Sequence, residues 1–140
     1  MKKLLLLAAF GFLTLGSYAQ SLTTVKNIQI KGMYDFQDEF NEYRMNSFLK
    51  FKLEEYGFNV YYDKQGIPPE VEADPCKELK CVVERGKSMF STKLTIKLLN
   101  CKGETVFMSY GESKIKKRDK SYVDAVKNAF EYSALNKLNK

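Results

Sequence analysis

Cys76, Cys81 and Cys101 are the only cysteines in the chain, and the parity of their positions restricts how its second half folds. Suppose Leu79 to Leu99 is an antiparallel hairpin turning near Ser88 and Met89. Lys80 then faces Lys97, and Cys76 faces Cys101. Opposed residues of such a pair hold their β-carbons at about the separation a disulfide needs. Cys81 shares its parity with Leu79 and Val83 on the apolar face, away from the other two. The expectation is a Cys76–Cys101 staple, with Cys81 a buried small hydrophobe. Pairing Cys81 with Cys101 requires a shifted register. A zinc site needs four ligands, and the chain has no histidine and no short C-x-x-C pair, so neither metal nor thiol redox chemistry is expected.

A staple needs an oxidising compartment, and the N-terminus supplies the address. MKKLLLLAAFGFLTLGSYAQ has Lys2 and Lys3, an apolar run from Leu4 to Leu15, and the small residues Ser17 and Ala19. This is the pattern of a secretory signal peptide, residues 1–19, with cleavage expected after Ala19. The run is shorter than the roughly 20 residues that span a bilayer, so no transmembrane segment is expected in the mature chain. Residues 20–140 are expected to form a single α+β domain, periplasmic or secreted. Losing Lys2 and Lys3 lowers the formal net charge from +6 to +4. That is mild beside 17 acids, and together with export it argues against nucleic acid as a partner.

The hydrophobic period changes along the mature chain. TVKNIQIKGMYDF places Ile28 and Ile30 on alternate positions and predicts a strand. In QDEFNEYRMNSFLKFKLEEYGF, residues Met45, Phe48, Leu49, Leu53 and Tyr56 fall at helical spacing. Gly57 suits the C-cap, and Asp38, Glu39 and Glu42 lie near the predicted start. FNVYYD is a second short strand. KQGIPPEVEADP holds all three prolines and predicts a long loop dividing the domain. Strands over Leu79–Glu84, Phe90–Leu99 and Glu104–Tyr110 form a three-stranded antiparallel meander. A C-terminal helix is N-capped by Ser121 and presents Val123, Val126, Ala129, Phe130, Ala134 and Leu138. The architecture predicted is one sheet with two helices packed on one face.

Chemistry is scarce. Without histidine, the Ser-His and Cys-His arrangements are absent. Glu54-Glu55 and the alternating Glu70, Glu72 and Asp74 lack neighbours that would push paired carboxyl pKa values apart, and are taken as solvated charge. The proline loop also lacks the turn glycine and distal glutamate of a calcium loop. No cofactor is implied. The one concentrated charge cluster is KIKKRDK, with Lys114, Lys116, Lys117, Arg118 and Lys120. It is either a contact for anionic lipid headgroups or an acidic partner, or a solvated connection into the last helix. Tyr61 and Tyr62, with Phe58, form either an aromatic patch or part of the core.

NEYRMNSFLKFKLEEYGFNVYYD, PPE, CKEL, TKLTIKLLNCKGETVF, SYGESKIK and YVDAVKNAF together resemble a group of small exported proteins of the Bacteroidota envelope. The resemblance covers nearly all the mature chain, Cys76 and Cys101 included, while Cys81 departs from the usual pattern. It carries over no catalytic residues. The order of elements is also similar to the anticodon-binding-like fold of envelope accessory domains, such as the N-terminal domain of the Tol translocation propeller protein. That likeness implies docking to proteins or lipids. The function expected is a non-catalytic binding or assembly module contacting an envelope protein or an anionic membrane surface. The alternatives are a small-molecule-binding protein, or an enzyme using carboxylates or a thiol.

Overall fold

Ile28 and Ile30 are fully buried and alternate with Asn27 and Gln29, giving a short first strand, β1 (Asn27–Ile30). The computed structural model describes residues 24–131, 133 and 135; the leader with its cleavage site, Ala134 and Leu138 lie outside them. After β1 come helix α1 (Met45–Glu55), β2 (Asn59–Tyr62), a short helix α2 (Pro69–Ala73), β3 (Glu78–Arg85), β4 (Thr92–Leu99), β5 (Thr105–Ser113) and helix α3 (Arg118–Glu131). The fold is α+β, with one five-stranded mixed sheet in the order β2-β1-β3-β4-β5. β1 pairs in parallel with both β2 and β3, and the other two pairings are antiparallel.

The two parallel crossovers run in opposite directions across the sheet, so connections of one hand place α1 and α2 on opposite faces. On one face, Met45, Leu49 and Leu53 of α1 and Ala125, Val126, Ala129 and Phe130 of α3 are fully buried. They close over Ile28, Ile30, Leu79, Leu94, Ile96 and Leu98 to form the core. This is the helical face predicted. α2 sits on the other face, where the Asn27 side chain donates to Glu70 Oε1 at 2.8 Å.

The proline segment is therefore not a plain loop. Pro69 stands in the first turn of α2, where a missing N–H costs nothing, and Val71 is buried. Asp74 then caps a 3-10 turn over Pro75–Lys77 by accepting from the Cys76 N–H at 3.0 Å. Two helix starts also differ from expectation. α3 begins at Arg118, so Ser121 lies inside it and bonds to the Thr92 hydroxyl. α1 begins at Met45, because Asn41, Tyr43 and Arg44 take left-handed backbone angles with φ of 53°, 60° and 60°. Buried amides fix that entry: Gln37 donates to Asn46 Oδ1 at 2.6 Å, and Asn46 donates to the Lys31 carbonyl at 2.8 Å. Together with Asn41 Oδ1, which accepts from the Ser47 N–H at 2.9 Å, these bonds hold the chain at the helix entry.

Candidate functional site

At the end of the sheet where β3 leaves and β4 enters, three segments distant in sequence enclose a groove of about 1440 Å³. One wall is the β3–β4 hairpin, Val83 to Thr92. The facing wall is the β5–α3 connection with the first turns of α3, and Asp35 and Phe36 close the back. Its basic lining residues are Arg85, Lys87, Lys114, Lys116 and Arg118; its acids are Asp35 and Glu84. Glu84 is paired with Lys97 at 3.2 Å. Among the described residues, none of the five cations has a carboxylate at ion-pair distance. On adjacent β5, Ser91 first, and then the Lys93 and Lys114 charges, hold the Glu112 carboxyl below its ordinary range.

Phe36 and Tyr122 of the lining belong to a run of stacked rings that continues into the domain. Tyr43 stacks on Tyr122 with ring centroids 4.4 Å apart, Tyr122 on Phe36 at 5.9 Å, and Phe36 on Tyr34 at 6.4 Å. Arg85 lies over Phe36, 5.7 Å from its centroid, and donates to the Tyr122 hydroxyl at 3.1 Å. This holds the guanidinium in place while the residue stays exposed. The hairpin tip is ordered by Ser88, whose Oγ accepts from the Phe90 and Ser91 N–H groups at 3.4 and 3.2 Å. Met89 and Phe90 are thereby turned into solvent, 92% and 89% exposed.

The basic cluster of the sequence is thus divided. Lys114, Lys116 and Arg118 line the groove, whereas Lys117 and Lys120 are exposed outside its lining. The sequence did not reveal Arg85 and Lys87 as their partners, because only tertiary folding brings the hairpin to the β5–α3 connection. Nor did it reveal Met89 and Phe90, which it assigned to the turn and to the start of β4.

Tyr61 and Tyr62 do not form one patch, since neighbours on a strand point to opposite faces. Tyr61 is buried beside α2, bonded to the Glu78 carboxylate, and its hydroxyl pKa is driven up first by burial and then by Glu78. Tyr62 is half-buried against Phe40, with centroids 5.2 Å apart. Two of the three acids of the proline segment are engaged: Glu70 accepts from Asn27, and Asp74 caps the turn, while Glu72 is exposed. No group of three or more metal-ligating side chains occurs among the described residues.

Cys76 and Cys101 are joined, with Cα atoms 4.8 Å apart, and both are exposed. The pairing matches expectation, but the register does not. Lys80 pairs with Leu99, two residues from the predicted partner, so the bond lies beyond the ladder, across the 3-10 turn. Cys81 is opposite Leu98 on the core side, buried, and desolvation pushes its thiol up to about 12. A thiol with that pKa supplies almost no thiolate at neutral pH. Ellman's reagent should therefore find no reactive thiol in the native protein and one after unfolding. Rapid native reaction would show that the site opens.

No helix among the described residues is long and apolar enough to cross a membrane. No family model matches the chain, and no curated protein or solved structure matches it.

Proposed function

We propose that this chain is an exported binding module that performs no chemistry of its own and makes its contact through the basic groove. One observation carries the reading: five cations from two separate segments converge there, none with a carboxylate at ion-pair distance among the described residues, and an aromatic ring of the lining fixes one of them. The lining holds five cations against two acids, one of which is paired with Lys97, and an anionic partner relieves that surplus of like charge. At about 1440 Å³ and open to solvent, the groove exceeds the roughly 300–1,000 Å³ of sites that enclose small ligands. That favours an extended anionic surface over a small molecule. The thiol alternative is weakened by the burial of Cys81, and the carboxylate alternative by the engagement of Glu70 and Glu78 in structural hydrogen bonds.

The test is fractionation of cells carrying a tagged, exported copy. Most of the wild-type protein should sediment with the envelope at low ionic strength and come off in about 1 M salt, where the screening length falls to about 3 Å. Lys114→Glu combined with Lys116→Glu alters exposed positions only, and should leave the protein folded but free of the envelope. Equal sedimentation of that variant would remove the groove as the contact.

A further inference from the structure

The cationic lining alone does not account for the hairpin tip. Met89 and Phe90 are among the most exposed large apolar side chains of the described residues, and the Ser88 turn holds them out rather than folding them onto the domain. Across the groove, Ile115 is 44% exposed within the basic connection. Scattered exposed apolar residues are ordinary. Two adjacent ones at a hydrogen-bonded tip, with a third on the basic connection and cations lining the same groove, make a two-part surface. An acidic protein would need the cations but would leave the tip in water. An anionic bilayer matches both parts, because its phosphates lie at the level of the lysines and its acyl boundary begins just below.

We propose that this end of the domain docks on anionic phospholipid, with Met89 and Phe90 entering the headgroup–acyl boundary and Lys87, Lys114 and Lys116 pairing with lipid phosphates. The geometry suits it, since tip and connection face each other across one open groove. Both belong to exposed segments, so docking requires no unfolding. The proposal rests on the groove being the contact surface and specifies what that surface meets.

Sedimentation with vesicles of phosphatidylglycerol mixed into phosphatidylcholine, against phosphatidylcholine alone, tests it on the purified, disulfide-bonded protein. The wild type should bind the mixed vesicles and not the neutral ones, and added salt should weaken the binding. Met89→Ser with Phe90→Ser should weaken it on the order of tenfold or more, as should Lys114→Glu with Lys116→Glu. Both pairs change exposed side chains, and urea midpoints equal to wild type would confirm that folding is intact. No binding to the mixed vesicles, or binding untouched by the Met89/Phe90 change, overturns the bilayer assignment. If groove-dependent envelope sedimentation nevertheless persists in cells, the partner is an acidic protein and only the bilayer assignment falls. If that sedimentation is also lost, the groove reading falls with it.

Discussion

Gly111→Ala should destabilise the domain by about 3 kcal/mol, the upper end of what overpacking a filled site costs. Gly111 is buried on β5 opposite Leu94, at the point where the strand meets α3. A β-carbon there would stand 1.9 Å from the Ala125 carbonyl oxygen, 2.7 Å from the Ala129 nitrogen and 2.9 Å from the Ala129 β-carbon. The first two are backbone atoms of a helix, so no rotamer change relieves the clash, and α3 has to move as a unit. Moving it disturbs the bonds that seat it: Ser109 to the Ala129 carbonyl, and Asn128 to the Glu112 carbonyl at 2.8 Å. It also disturbs the packing of Ala125, Ala129 and Phe130, all fully buried. Against a total of about 5–15 kcal/mol for an ordinary domain, this is a large fraction. Urea unfolding is the measurement. Ala129→Gly should not rescue the variant, because the closest obstacle is the carbonyl of Ala125. An unchanged midpoint would mean that α3 stands further from β5 than the structure has it. The same displacement would pull Ser121 and Tyr122 from the groove wall, so vesicle binding should weaken along with stability.

What the sequence disclosed of this arrangement was local in origin. Parity placed Leu79, Cys81 and Val83 on the buried face, because a strand repeats every two residues, whereas Cys76 and Cys101 meet in turns beyond the ladder that parity does not govern. Helical spacing found Met45, Leu49 and Leu53 for the same kind of reason. Strand order was beyond reach: nothing in the four residues of β1 says that it lies at the centre of three parallel strands. The start of α1 was misplaced because Asp38, Glu39 and Glu42 imitate a helix N-terminus. The Gln37–Asn46 amide pair at the helix entry is a contact across nine positions. The groove was the least legible feature. Lys114, Lys116 and Arg118 stood out as a charged run, but a run has no partner until Arg85 and the Met89–Phe90 tip are folded against it.

Removing the disulfide by Cys76→Ser with Cys101→Ser should cost about 3 kcal/mol, on the chain-entropy estimate for a loop closed across 25 positions. The loss should be concentrated at one end of the molecule. The ladder between β3 and β4 ends at the Lys80–Leu99 pair, and beyond it the bond ties the Pro75–Lys77 turn to the Asn100 turn. That turn follows directly on α2, whose Glu70 bonds to Asn27, and Asn27 also donates to the Lys77 carbonyl at 3.1 Å. Without the staple, this group should open first, exposing the buried Glu78 and its bond with Tyr61. Hydrogen exchange should then accelerate at Glu78 and Leu79 well before it does at Val83 or Ile96. Uniform acceleration along β3 would instead show that the bond supports the sheet as a whole. The groove lies at the opposite end of β3, some seven residues away, or roughly 23 Å at the rise of a strand. At a denaturant-free temperature where the variant remains folded, vesicle binding should therefore match wild type. Loss of binding in a folded variant would mean that the two ends are coupled through β3. Equal binding would assign the cysteines to stability and leave contact to the hairpin tip and its lysines.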